Sequence, residues 1–241
     1  MKHYVKRLMY KLGLTAYKKL SFKNFPPGFD FAVDVIRLTQ KSPIETIFDV
    51  GANIGQTALS FSKYFDQAHI FAFEPVQETF IELQRNISHL PRVNSFNYGF
   101  GSKDCTQPIY LGDNSQLHSL VEGITANPSL AEMITIKTID KFCEENKIEK
   151  IDLLKTDTEG FDLEVVKGAK NYLSSGNIKL ILSEVGFKPS DRRHTYFLEL
   201  HQYLLTQAFR FYALYDLVHH GKRNSGLYYC NALFVNSNWV T

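Results

Sequence analysis

Cysteine is scarce in this chain, with three among 241 residues, Cys105, Cys143 and Cys230. They lie far apart and match no zinc or redox spacing, which excludes a disulfide framework or a cysteine-ligated metal as the basis of the fold. A scattered, odd set is expected to be reduced thiols in a cytoplasmic compartment. No apolar run approaches the roughly 18 residues a membrane-spanning helix requires, and the amino end lacks the apolar core and cleavage site of a signal peptide. The formal net charge of +2 is too small to imply nucleic-acid binding by itself. Repeats and low-complexity tracts are absent. Aromatics, in contrast, are plentiful, with 19 Phe and 13 Tyr, and the length suits one α/β domain with a substantial core plus an extension.

Acids are missing altogether before Asp30, while Lys2, Lys6, Arg7, Lys11, Lys18, Lys19 and Lys23 are basic. Val5, Leu8, Met9 and Leu12 recur among them at helical spacing. Two readings fit a basic amphipathic helix: packing on the domain with a solvated basic face, which is preferred, or weak peripheral contact with an anionic membrane surface. Phe25-Pro-Pro-Gly28 interrupts this segment, Asp30 to Thr39 reads as a short helix, and Ser42-Pro43 punctuates the chain before the first strand. The expected boundary lies near Lys41, with a helical extension over 1–41 and a catalytic domain over 42–241.

The most organised stretch is Thr46 to Pro75, TIFDVGANIGQTALSFSKYFDQAHIFAFEP. Apolar β-formers end in Asp49-Val50, a glycine turn runs from Gly51 to Gly55, and Ala58, Phe61 and Phe65 form one helical stripe. A second apolar run then closes on Glu74-Pro75. The pattern is strand, turn, helix, strand, one βαβ unit. Glycines let backbone approach a ligand, the helix amino end offers free N–H groups, and Glu74 stands where a carboxylate grips ribose hydroxyls. A dinucleotide fingerprint would read G-x-G-x-x-G; here the spacing is G-x-x-x-G, with Asn53 and Ile54 where a pyrophosphate would sit. Asp49 before the turn would repel a diphosphate and suit a cation. S-adenosylmethionine, with a sulfonium, an ammonium and no phosphate, fits those residues better than NAD does. The expected cofactor contacts are Asp49, Gly51, Asn53, Gly55 and Glu74. The stretch resembles the first motif and following acidic strand end of class I methyltransferases.

Further along, Val76, Phe80, Leu83, Ile87 and Leu90 step as an amphipathic helix ended by Pro91. Val93 to Phe100 reads as a third strand whose Gly99 would flank the adenine. Ser102 to Met133 is irregular, with a short strand at Pro108 to Leu111, and a loop of that length is uncommon unless functional or inserted. Extended Ile134 to Lys137 and a helix from Ile139 come next. The stretch Ile151 to Ala169 gives a strand, the loop KTDTEG and a helix. Lys179 to Gly186 is a buried strand ending beyond Glu184. A helix around Phe197, Leu200 and Leu204 precedes two strands, Phe209 to Tyr215 and Leu227 to Val235. The expected fold is a Rossmann-like, doubly wound α/β domain, with a mostly parallel seven-stranded sheet whose last strand is antiparallel.

Ligands of open α/β sheets bind beyond the carboxyl ends of the strands, where Asp49, Glu74, Asp157, Glu159 and Glu184 all fall. DVGANIG, the following FEP and LLKTDTEGFDLEVVKGA together resemble the FkbM-type methyltransferase family over roughly Thr46 to Gly186. The block containing Lys155, Asp157, Glu159 and Gly160 is the most distinctive part. The resemblance implies S-adenosylmethionine-dependent O-methylation of a hydroxyl on a sugar, glycan or secondary metabolite. In-line displacement needs alignment and a group to take the hydroxyl proton. The candidates are Asp157 first, then Glu184 and Glu159, with Lys155 stabilising the oxyanion or simply paired with an acid. The expected site is metal-free; a variant places Mg²⁺ on Asp157 and Glu184, since hard oxygen ligands suit that ion. His194, near Asp191 and Arg192, and the pair His219-His220 rank below the acids as substrate contacts. Two rival readings remain: an N-methyltransferase on protein or nucleic acid, which would often carry N/D-P-P-Y/F where this chain has KTDTEG, and a non-catalytic nucleoside-binding module.

Overall fold

The structure, a computed structural model, describes residues 25–39, 42–112, 118–121, 131–219 and 226–239. The basic segment Met1 to Lys23 and His220 therefore lie outside the described residues.

The first described helix, α1 (Phe31–Leu38), starts where Asp30 accepts the Val33 N–H. Its Val35 is fully buried against the sheet. Phe31 stacks on Phe61 at 5.6 Å, and Tyr215 Oη donates to Asp34 Oδ2 at 2.8 Å. A segment assigned from the sequence to the extension is thus built into the domain core.

Next come β1 (Thr46–Val50), α2 (Gln56–Tyr64), β2 (His69–Phe73), α3 (Gln77–Ile87) and β3 (Val93–Phe96). Two short strands, β4 (Gly99–Phe100) and β5 (Cys105–Tyr110), precede β6 (Ala131–Lys137) and α4 (Ile139–Asn146). The second half holds β7 (Ile151–Thr156), α5 (Asp162–Lys167), α6 (Lys170–Ser174), β8 (Ile178–Gly186) and β9 (Thr195–Tyr196). It closes with α7 (Phe197–Thr206), β10 (Phe209–His219) and β11 (Leu227–Asn236).

Seven strands lie side by side in the order β10-β11-β8-β7-β1-β2-β3, with β9 paired to β8. All pairings from β8 to β3 are parallel, while β11 runs antiparallel to both neighbours. The order reverses at β1, so the chain opens a crevice where the carboxyl ends of β1 and β7 part company. Because both faces are covered, β1 and β7 read as almost continuous apolar runs rather than alternating ones. Alternation survives as a division between two cores. Ile47 and Leu153 face α1, α2 and α3, whereas Phe48 and Leu154 face α4, α5 and α7. Phe48, Phe73, Phe100 and Phe142 pack with ring centroids 4.5–6.3 Å apart, each buried ring contributing about 1.5–3 kcal/mol.

Two expectations change. The third strand does not run from Val93 to Phe100 in one sheet. Asn97 Nδ2 donates to the carbonyls of Glu74 and Pro75, both at 3.0 Å, which turns the chain out of the sheet after Phe96. Gly99–Phe100 then pairs with β6 in a separate three-stranded sheet ordered β4-β6-β5. The irregular stretch after Ser102 accordingly contains a six-residue and a seven-residue strand, β5 and β6. The helix expected through Ala169 also breaks: a Cβ on Gly168 would lie 2.1 Å from the Gly101 carbonyl oxygen.

The tightest packing lies beneath the crevice. Gly51 has φ +75°, and a Cβ there would lie 1.9 Å from the Asp157 carbonyl oxygen. Gly51→Ala should therefore destabilise the protein by more than about 3 kcal/mol, since backbone cannot yield as a side-chain tip can. Gly226→Ala, with nothing within 4 Å of the added methyl, should change stability by less than about 0.5 kcal/mol. Urea unfolding of the pair measures the contrast, and equal effects would contradict it.

Candidate active site

Beyond Val50 the chain turns through three left-handed residues, Gly51, Asn53 and Gly55. The Gly51 and Ala52 N–H groups donate to the Phe73 carbonyl at 3.0 and 2.9 Å. Glu74, only 6% exposed, locks the turn from the next strand. Its Oε2 accepts the Asn53 N–H and its Oε1 accepts the Val76 N–H, each at 3.0 Å. Each carboxylate oxygen has two lone pairs, so one per oxygen remains for a ligand. Burial outweighs those two hydrogen bonds and pushes Glu74 up to about 7.

A cavity of about 490 Å³ opens over this turn. Gly51, Asn53, Glu74 and Gly99 line it. Asp49 and Gly55 do not. The Asp49 side chain is fully buried beneath the turn, and its Oδ1 lies 3.3 Å from a protein cation, Lys155 Nζ. Gly55 caps α2 and admits α3, because an added Cβ would meet Leu83 and Ile87 at 3.0 and 3.1 Å.

The opposite wall is acidic. Lys155, 5% exposed, places Nζ 3.2 Å from Asp157 Oδ2 and 3.3 Å from Asp49 Oδ1. Burial opposes its charge, but Asp157 and Asp49 together hold the ammonium above its ordinary range. The four residues expected to act in catalysis, Lys155, Asp157, Glu159 and Glu184, all line the cavity. One oxygen from each of the three acids falls within 4.8 Å of the others. Glu159 is pushed up to about 8 by burial and then by Asp157, and Glu184 to about 10 by burial and then by Asp157, Asp162 and Glu159. Both side chains are therefore held as neutral acids near neutral pH. The Lys155 ammonium is the protein cation nearest these acids, and Asp157 and Glu184, the residues of the Mg²⁺ variant, belong to the same oxygen cluster.

Sequence reasoning undervalued one segment. Gly160, at φ +91°, lets the loop after β7 pass beneath the Arg192 carbonyl, which would lie 2.5 Å from an added Cβ. That crossing brings Arg193 and His194 to the cavity, along with Tyr228 and Tyr229 from β11. The only signal was local, the run Asp191-Arg-Arg-His194; its partners are remote in sequence. His118 arrives from the loop after β5. His219 lies exposed at the end of β10 and does not line the cavity.

An open parallel sheet with an antiparallel final strand, and a cavity over a glycine turn at its reversal point, defines a Rossmann-like fold of the methyltransferase class. The methyltransferase FkbM domain model matches residues 49–211, and the chain belongs to that family. It is similar to hexuronic acid methyltransferase AglP of Haloferax volcanii, 35% identical over 164 residues, covering 66% of this chain and 64% of that protein. It is also similar to 2-O-methyltransferase NoeI of Sinorhizobium fredii, 26% identical over 154 residues, covering 58% of this chain and 63% of that protein. The matched segments thus span slightly less than two thirds of both relatives. Among solved structures, the N-terminal domain of human METTL16 in complex with SAH aligns with TM-score 0.49 and 12% identity over 84% of this chain and 67% of that one.

The raised carboxyls set a sign for stability against pH. Glu159 moves from 4.5 to about 8, so its contribution to folding is complete below about 4.5 and is lost as the pH rises towards about 8. Urea unfolding of the ligand-free protein should show stability falling across that window. Glu159→Gln should flatten the slope by up to about 1.4 kcal/mol per pH unit, the share of one proton. Superimposable slopes for the two proteins would show that Glu159 is not a buried neutral acid.

Proposed function

We propose that the protein is an S-adenosylmethionine-dependent O-methyltransferase acting on a hydroxyl of a sugar or glycan. The observation that carries this reading is a single cavity joining a nucleoside-type wall to an acid-and-histidine wall. On the first wall, buried Glu74 keeps one lone pair per oxygen for a pair of ribose hydroxyls. Gly51 and Gly99 present no side chain where a flat base and ribose would lie. Residues and group therefore fit. When bound, the cofactor supplies a methyl carbon activated by a positive sulfur.

The protein's share is alignment, exclusion of water and disposal of a proton. Holding donor and acceptor in line is worth about 7–11 kcal/mol in effective concentration. Asp157, tied to Lys155, defines the wall between the two ligands, while Glu159 and Glu184 offer carboxylic O–H groups to sugar oxygens. Arg193 lines the cavity beside these acids, and its charge draws Glu159 down against the effect of burial. A guanidinium placed there suits a carboxylate-bearing sugar, and the names of the two relatives, hexuronic acid and 2-O-methyl transfer, favour that acceptor class. A nicotinamide dinucleotide is disfavoured by the G-x-x-x-G turn. A nucleic-acid substrate is disfavoured by a net charge of +2 and by the three-acid wall. No helix among the described residues is long and apolar enough to cross a membrane.

Titration calorimetry should show saturable binding of S-adenosylhomocysteine and S-adenosylmethionine, and none of NAD. Saturation by NAD, or no heat with either sulfur nucleoside, would defeat the cofactor assignment. Glu74→Ala should weaken binding by about 1.5–3 kcal/mol, the range for a hydrogen bond to a charged group. Turnover with labelled cofactor and a panel of uronic acid and neutral glycosides should survive EDTA. Activity that disappears with chelator and returns with Mg²⁺ would reinstate the metal.

A further inference from the structure

One polar unit at the cavity has no part in aligning donor and acceptor. His194 and Asp191 are almost inaccessible, with side-chain exposures of 4% and 7%, and Nδ1 lies 2.7 Å from Asp191 Oδ2. The other oxygen of Asp191 accepts the Arg193 N–H at 2.9 Å, so both carboxylate oxygens are committed and the group cannot swing away. A carboxylate facing Nδ1 calls for a proton on that nitrogen, which leaves the lone pair of the neutral ring on Nε2. The ring stacks on Tyr229 at 4.3 Å and meets Tyr228 edge-on at 5.3 Å.

The backbone is shaped around this pair. A Cβ on Gly186 would lie 2.9 Å from His194 Cβ and 3.3 Å from Asp191 Oδ2, so only glycine at the end of β8 admits both groups. Thr195 and Tyr196 pair with Val185 and Gly186, and Thr195 Oγ1 donates to Asp162 Oδ2 at 3.1 Å. The histidine is therefore clamped on both sides along the chain. His194 Nε2 lies 3.7 Å from Glu184 Oε2, too far for a hydrogen bond. An oxygen atom seated against both could be reached by each.

We infer that His194 is the general base of the methyl transfer and Asp191 its positioning residue, an assignment that rests on the O-methyltransferase reading above. His194 Nε2 takes the acceptor hydroxyl proton while that oxygen forms its bond to the methyl carbon. The carbon–sulfur bond breaks in the same step, and its electron pair stays on sulfur, which becomes a neutral thioether. The positive charge lost at sulfur reappears on the imidazolium, beside Asp191. The acids expected to do this work are otherwise engaged. Asp157 is held by Lys155 at 3.2 Å, and Glu159 and Glu184 crowd the same carboxylate, with one oxygen of each acid within 4.8 Å of the others. Glu184 can instead hydrogen-bond a neighbouring sugar oxygen, which orients the hydroxyl towards Nε2.

The ionisable groups against the ring are Glu184 from β8, Tyr228 and Tyr229 from β11 and Asp191 from its own segment, while Asp157 and Glu159 from the loop after β7 and Arg193 line the same cavity. Nitrogen-15 NMR of the full chain with S-adenosylhomocysteine reads the ring without any acceptor. Wherever the His194 ring is singly protonated its proton should lie on Nδ1, facing Asp191, and Asp191→Asn should move that proton to Nε2. A wild-type proton on Nε2, or a tautomer indifferent to Asp191→Asn, would overturn the assignment. Absence of cofactor binding would defeat the enzyme reading instead, so the two failures are distinguishable. With methyl β-D-glucuronide as acceptor, His194→Gln should lower kcat by roughly 10²–10⁴-fold, with melting temperature and S-adenosylhomocysteine affinity unchanged. Imidazole in the buffer should restore part of the activity of His194→Ala. Undiminished turnover in His194→Gln would overturn the proposal, and if the glucuronide is not an acceptor the NMR result alone decides.

Discussion

A buried ammonium, Lys155 Nζ, sits between the carboxylates of Asp49 and Asp157, and the crevice depends on it. Asp49 and Lys155 are register partners across β1 and β7, so the pair joins the two strands where the sheet order reverses. Removing one member of such a pair strands a charge in low dielectric, at a cost of about 3–5 kcal/mol. With the strand ends held, Gly51 can lie directly beneath the Asp157 carbonyl. The glycine turn and the KTDTEG loop thereby become two sides of one opening.

From that junction the cavity divides by chemistry. The turn side is rigid before any ligand arrives, because Glu74 already bonds two backbone N–H groups while keeping acceptor capacity to spare. The far side is protonic: two neutral carboxyls, one ion-paired carboxylate and one histidine share a small space. Placing ionised acids there without partners would be costly, and the protons on Glu159 and Glu184 relieve that cost.

The relation between motif and role was uneven. Glu74 faces the cavity where its place at a strand end put it, and Gly51, Asn53 and Gly99 line the same wall. Asp49 had the right charge and the wrong direction: successive residues of a strand point to opposite faces, and its partner, Lys155, is remote in the chain. Gly55 was assigned to a ligand, whereas its missing side chain serves Leu83 and Ile87. Both kinds of glycine leave the same letter in the sequence. The strand read through Phe100 failed because the side chain of Asn97 captures two carbonyls at the end of β2, a long-range bond without a periodic signature.

Local chemistry by itself determined the strand–turn–helix–strand unit, the parallel sheet and the line of acids at its edge. Period, glycine placement and strand-end charge are properties of neighbouring residues and survive in one dimension. Tertiary structure alone decided how these groups are used. It turned Asp49 inward to Lys155, built α1 into the core, and set Asp191 and His194 against Gly186 so that an isolated loop histidine became part of the cavity wall. Hydrogen bonds and burial depend on distances in space, and residues distant in sequence supply most of the atoms that set them.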